Sequence, residues 1–222
     1  MRRRYEPTRL IARGLPILLG VAVTCALVTS QPRTRAGAAA VTIGGPFMLS
    51  TSDGKTVTDR TYRGKWLLVY FGYTSCPNSC PTMLLDIAAA LKQLGPDAGR
   101  VQPLFITIDP QRDTAAVMQQ YTQSFDPRIV GLSGTAQQIA TVAQEYGAYY
   151  VRRASGAGAT DYVMDHSTYL YVMDPEGKFV RAFQGDDASA EAISGALREL
   201  MKSRPHEGTA VRDGKLAMRR LE

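Results

Sequence analysis

Trp66–Thr82 reads WLLVYFGYTSCPNSCPT, and its two halves follow different rules. Residues 66–73 are almost wholly apolar and rich in strand formers. A short run of that kind, with no polar alternation, predicts a central strand covered on both faces. Residues 74–82 change character at once, with two cysteines and two prolines close together. Pro81 is suited to open a helix, because a first-turn proline lacks only an N–H that has no intrahelical partner. Leu84, Leu85, Ile87, Ala88 and Leu91 then recur at helical spacing until Gly95-Pro96 stops the pattern.

The alternation of element types continues outward. Upstream, Phe47-Met48-Leu49-Ser50, a turn at Ser52-Asp53-Gly54-Lys55 and Thr56-Val57-Thr58 predict a β-hairpin. Downstream, Val101–Ile108 predicts a second buried strand ending at Asp109-Pro110. Helices are expected at Thr114–Ser124 and Thr135–Tyr146, with a short strand at Arg128–Leu132 between them and another at Ala148–Arg152. Ala154–Thr160 reads as a flexible loop. A strand at Ser167–Met173, a turn at Asp174-Pro175-Glu176-Gly177, a strand at Lys178–Phe183 and a helix at Asp187–Ser203 close the order. That order predicts an α/β chain with a thioredoxin-like fold, a central mixed sheet flanked by helices, preceded by an N-terminal hairpin. Sites in open α/β sheets lie off the carboxyl ends of strands, which is where Cys76 and Cys80 fall.

Charge separates the termini from this body. Of 26 basic and 20 acidic residues, seven arginines and one glutamate lie in residues 1–35, so the formal charge of +6 belongs to that segment and the remainder is balanced. A balanced body carries no basic nucleic-acid surface. The arginines instead flank the uncharged run Leu15–Val28. Its length fits a cleaved signal or, extended over Gly14 to Ser30, a retained anchor. Arg2–Arg13 then face the cytoplasm and the body lies outside it, on the periplasmic side of the inner membrane in a bacterium. Cys25 reads as a cysteine buried in that run. The expected division is an anchor or signal over 1–35, a linker over 36–42, one folded domain over 43–203 and a polar tail over 204–222.

Cys76 and Cys80 stand as C-x-x-x-C, and Cys80 lies at the start of the predicted helix, where free N–H groups and the dipole favour a thiolate. The spacing alone admits a structural disulfide, a thiol–disulfide couple or a metal site. A bridge closing so short a loop would stabilise modestly. Two soft sulfurs suit Cu(I), which accepts two or three ligands, whereas structural zinc takes four. His166, placed at the start of the Ser167–Met173 strand, can approach the cysteine loop in a thioredoxin-like fold and serve as a third ligand, with Asp165 to orient it. His206 falls in the polar tail. Asp109, Arg112 and Asp113 read as a buried turn network rather than a catalytic group. Tyr149, Tyr150, Tyr169 and Tyr171 read as strand residues.

The motifs carry a resemblance. Gly44-Gly45-Pro46-Phe47 and Gly64-Lys65 precede the strand. Gly72-Tyr73-Thr74 leads into Cys76-Pro77 and Cys80-Pro81-Thr82. Ile106–Thr114 (ITIDPQRDT) follows, then Asp161-Tyr162 with Asp165-His166. On these the chain resembles the Sco/SenC proteins, copper metallochaperones for cytochrome c oxidase, from about Ile43 to Leu200. The resemblance implies an N-terminal anchor and copper, Cu(I) or Cu(II), held by Cys76, Cys80 and His166. It implies delivery to the dinuclear copper centre on subunit II of cytochrome c oxidase, and dealings with other copper chaperones or thioredoxin-like reductants. Asn78 stands where the family usually has an acid, and Ser75 or Ser79 where it has a bulky apolar residue. The rival role is a thiol–disulfide reductase acting on the oxidase copper site through the redox pair Cys76 and Cys80. A peroxiredoxin-like reading fails on spacing, since Thr74 lies two residues before Cys76 rather than three.

Overall fold

The computed structural model describes residues 42–158 and 161–204. The apolar run, the arginine cluster and the tail bearing His206 lie outside the described residues. Among those described, no helix is long and apolar enough to cross a membrane.

The N-terminal hairpin forms as expected from β1 (Met48–Thr51) and β2 (Thr56–Thr58). The decisive strand is β3 (Trp66–Gly72), in which all seven residues are buried. Covering both faces removes roughly 1.5–3 kcal/mol worth of apolar surface per large side chain from water, which is why no polar residue interrupts the run. The helix after it, α1 (Ser79–Leu94), starts two residues before Pro81, with Asn78 in the N-cap position. Pro81 therefore sits within the first turn, where its missing N–H still costs nothing, and Cys80 is a helical residue rather than the one before the helix.

β4 (Val101–Thr107) lies parallel to β3 in a register that sets Gly72 beside Thr107. Next come α2 (Ala115–Gln123), capped by the Thr114 hydroxyl, and β5 (Val130–Ser133). In α3 (Ala136–Tyr146), Thr135 and Gln138 form a capping box. β6 (Tyr150–Ala154) and β7 (Tyr162–His166) follow, then β8 (Leu170–Met173), β9 (Phe179–Phe183) and α4 (Ala190–Ser203). Seven strands form one mixed sheet in the order β2-β1-β5-β4-β3-β8-β9. With α1 and α4 packed together, α2 on β5 and α3 against β1, the fold is the thioredoxin-like α/β arrangement that the element order predicts.

One element departs from the sequence reading. Residues 162–166 form a strand, and His166 ends it instead of beginning the next. Among the described residues β7 pairs only with β6, antiparallel, in a separate two-stranded sheet with Tyr150 opposite His166 and Arg152 opposite Met164. Its side chains alternate: Tyr162 and Met164 are buried while Val163 and Asp165 are exposed, the period-two signature of a half-buried strand. β8 starts only at Leu170, and Ser167 still belongs to the end of the hairpin. Ser167 N–H donates to the Tyr149 carbonyl (2.9 Å), and Tyr149 N–H donates back to the Ser167 hydroxyl (3.1 Å).

Candidate metal centre

Three side chains from three places in the fold meet beyond the carboxyl end of β3. Cys76 comes from the loop after the strand, Cys80 from the first turn of α1 and His166 from the end of β7. His166 Nε2 lies 4.0 Å from Cys76 Sγ and 3.6 Å from Cys80 Sγ. The three ligand atoms all fall within 4.8 Å of one another. A metal held at about 2.0–2.3 Å by two sulfurs and a nitrogen in a trigonal plane would space them about 3.5–4.0 Å apart. Both thiols are free.

Close approach to the strand is what brings the sulfurs in. A Cβ on Gly72 would stand 2.6 Å from Cys80 Sγ and 2.8 Å from the Phe105 ring, so only glycine fits there. Cys80 is fully buried and Cys76 is 8 % exposed, on the wall of a cleft of about 370 Å³ whose other wall includes Val163, Met164 and His166. Larger clefts, such as one of about 510 Å³ lined by Phe47, Met48 and Val142, hold no thiol or imidazole.

The two sulfurs differ in electrostatics, and not as the helix start alone suggests. The Cys80 N–H, one of the free donors at the head of α1, points at Cys76 Sγ (3.4 Å). The dipole of α1 therefore acts on Cys76. The hydrogen bond from the Cys80 thiol is the largest influence holding the Cys76 thiol down, to about 3, against the opposing effect of burial, and the contacts with His166 and Ser79 act in the same direction. The Cys80 thiol is pushed up, by its bond to Cys76 and by burial. The pair is thus a thiolate at Cys76 beside a protonated Cys80.

His166 is oriented by backbone and not by Asp165. Its Nδ1 donates to the Ser167 carbonyl (2.8 Å), so in the neutral ring Nε2 turns a lone pair toward the sulfurs. Asp165 points to the opposite face of β7, where it pairs with Arg153. Tyr70 and Tyr73 meet the imidazole edge-on, with centroids 6.3 and 5.9 Å away.

Asp109, Arg112 and Asp113 form the expected buried turn, with the Arg112 and Asp113 N–H groups donating to the Asp109 carbonyl (3.1 and 3.0 Å), and its side chains reach out to the site. Asp113 binds the cysteine loop: it accepts from Thr74 N–H (3.1 Å), the Thr74 hydroxyl (2.6 Å) and the Thr107 hydroxyl (2.6 Å). Burial pushes its carboxyl up, while the Thr107 and Thr74 bonds oppose that shift. Asp109, paired with Arg112, accepts from the Tyr162 hydroxyl (2.8 Å). Arg112 donates to the Tyr162 carbonyl (2.9 Å), with its guanidinium 3.7 Å from that ring's centre. One loop thereby ties both halves of the site to β4. The signal was present in the ITIDPQRDT segment, but what its carboxylates bind becomes visible only in three dimensions.

A strand-loop-helix carrying two thiols, faced by one imidazole on a thioredoxin-like scaffold, defines a compact soft-metal or dithiol site. The family described as SCO1/SenC matches residues 35–202, and the chain belongs to it. SCO1 homolog 1 of Arabidopsis thaliana mitochondria is 40% identical over 164 residues, covering 73% of this chain and 48% of that protein, so the chain spans about half of that relative's length. SenC of Rhodobacter capsulatus is 38% identical over 187 residues, covering 82% of this chain and 83% of SenC. The structure of Bradyrhizobium japonicum ScoI with copper bound is similar with a TM-score of 0.65 at 43% identity, covering 71% of this chain and 98% of that one.

Proposed function

We propose that the protein is a copper chaperone that binds one copper ion through Cys76, Cys80 and His166 and delivers it to the dinuclear copper centre on subunit II of cytochrome c oxidase. The observation that carries this reading is the convergence of two free thiols and an Nε2 lone pair within 4.8 Å. The chemistry of that set supports copper: two soft sulfurs and one imidazole suit Cu(I) with three ligands and still give Cu(II) a nitrogen. Similarity to a relative solved with copper bound supports it further. The apolar run over Leu15–Val28, flanked by arginines, would tether the chain to the membrane with the domain of 43–203 outside the cytoplasm. Other copper chaperones would load it.

The test is metal analysis of the reduced full chain after copper loading. One equivalent is expected. Cys76→Ser and Cys80→Ser should each abolish tight binding, and stoichiometric copper in both variants would refute the reading.

A second role has its own support. Cys76 is a thiolate at the cleft wall while Cys80 behind it is a buried thiol, the asymmetry of a nucleophile with its resolving partner. A reductase of the oxidase copper site, re-reduced by thioredoxin-like partners, would use the same pair. Reduction of a model disulfide by the copper-free chain, lost in Cys76→Ser, would establish it.

A further inference from the structure

Hydroxyl groups near the start of a helix ordinarily turn toward its unpaired N–H groups. At α1 this does not happen: Asn78 makes no side-chain cap, and the hydroxyl of Ser79, the first helical residue, lies 3.2 Å from Cys76 Sγ. A metal-bound or ionised sulfur carries no proton, so in that contact Ser79 must be the donor. The Tyr70 hydroxyl is fully buried and has no hydrogen-bond partner among the described residues.

The two sulfurs are therefore unequal in a way that the ligand set does not require. Cys76 receives two donors from the first turn of α1, the Ser79 hydroxyl and the Cys80 N–H (3.4 Å). Cys80 Sγ, so close to Gly72 that a Cβ there would stand 2.6 Å from it, takes no donor from that turn and is met instead by the Tyr73 backbone and Tyr70. A donor directed at a ligand sulfur draws electron density from it. That weakens its bond to electron-demanding Cu(II) more than to Cu(I), and hydrogen bonds to ligand sulfurs are a general means of setting a metal potential. The same donor stabilises a free thiolate over a disulfide sulfur, which carries no charge.

We propose that the Ser79 hydroxyl is a positioning donor to the Cys76 sulfur that biases the site toward its reduced forms, Cu(I)-loaded and dithiol. The copper half of this rests on the copper reading above; the dithiol half does not.

The experiment uses the full chain with Ser79→Ala and Ser79→Thr. In the copper-loaded protein, the Cu(II)/Cu(I) midpoint potential and the thiolate-to-Cu(II) absorption are measured. In the copper-free protein, the Cys76–Cys80 dithiol is equilibrated with glutathione. There each cysteine gives up one electron as the S–S bond forms, Cys80 also gives up its proton, and one oxidised glutathione takes the two electrons, that proton and one from solvent to become two thiols. Loss of one hydrogen bond to an ionised acceptor is worth about tenfold, or about 59 mV for the one-electron copper couple. Ser79→Ala should lower the copper potential by that amount, move the absorption to longer wavelength, and make the dithiol easier to oxidise. Ser79→Thr should restore all three. Wild-type potentials in Ser79→Ala, or equal shifts in the Ala and Thr variants, would overturn the proposal. A wild-type chain that takes no copper refutes the copper reading, and the glutathione equilibrium then decides the role of Ser79 alone.

Discussion

The cysteine loop and the β6–β7 hairpin meet at one site but are held by different forces. The loop hangs from β3, which has β4 on one side and β8 on the other and is buried throughout. Its Thr74 is bonded twice to buried Asp113, and Cys80 is packed into the core. The hairpin pairs with no other strand, and three of the five residues in β6 are exposed. Polar contacts through Tyr162 and Arg112 tie it to the body, while the Tyr149–Ser167 bonds close the hairpin's open end on itself. An isolated two-stranded ribbon is marginal by itself. Mainly hydrophobic burial fixes the sulfurs, whereas the imidazole rests on a few polar bonds and on only two buried side chains of β7, Tyr162 and Met164. Of the two, the hairpin is the arm that local opening would release first.

The comparison breaks first in stability. Leu68→Ala, in the fully buried middle of β3, should cost about 2–5 kcal/mol. Val163→Ala, on the outer face of β7 and 39 % exposed, should cost below about 1 kcal/mol. Chemical denaturation of both variants measures the difference, and equal losses would mean that the hairpin is as integral as the core.

Copper separates the two regions next. His166→Ala should leave the fold intact and retain Cu(I), because two thiolates can hold it in linear geometry, while Cu(II) prefers nitrogen as well. Cu(II) affinity should fall by more than the roughly 10–100-fold that loss of a ligand's outer partner costs. Titration with each oxidation state reads this directly. Unfolding of His166→Ala would show instead that the imidazole is structural.

Arg112→Ala sharpens the point at the tie itself. It removes the bond to the Tyr162 carbonyl and the contact with that ring, and leaves Asp113 on Thr74. Amide exchange over Tyr162–His166 should speed up by about tenfold, the worth of one such charge-assisted bond, while exchange in α1 stays within a factor of two of wild type.

The same contrast explains what the sequence could show. β3, β4 and α1 were legible because burial on both faces leaves an unbroken apolar run and a helix leaves its period. The cysteine pair was legible from residue type and spacing. β7 was missed although Tyr162–His166 alternates, since a strand of five residues with charge at Asp161 and Asp165 resembles a loop and its only partner, β6, follows no core pattern. The thiolate was placed at Cys80 by its position at a helix start, whereas the chain folds the Cys80 N–H back onto Cys76. Asp165 looked like the orienter of His166 by adjacency, but neighbours on a strand point to opposite faces, and the Ser167 carbonyl takes that role. Local pattern reports which residues are buried; it does not report which polar atoms meet across the fold.

The smallest expected effect tests the electrostatics of the rigid half. Cys76 is held down to about 3 chiefly by the donor from Cys80, with its contacts to His166 and Ser79 acting the same way, well below the ordinary thiol value of about 8.5. Because its folded value is the lower one, the folded copper-free chain gives up this proton at a pH where the unfolded chain still holds it. The resulting stabilisation is complete above about pH 8.5 and is lost as pH falls toward 3. Between pH 5 and 8 the thiolate fraction in the folded state is already saturated. Alkylation of Cys76 by iodoacetamide should then vary by less than about threefold across that range, and slowly in absolute terms, since a low-pKa thiolate is a weak nucleophile. The urea-unfolded chain should instead lose about tenfold in rate for each pH unit below 8.5. Cys80, buried and protonated, should stay unmodified in the folded state. A folded-state rate that falls tenfold per unit would show that the donors around Cys76 do not hold a thiolate there.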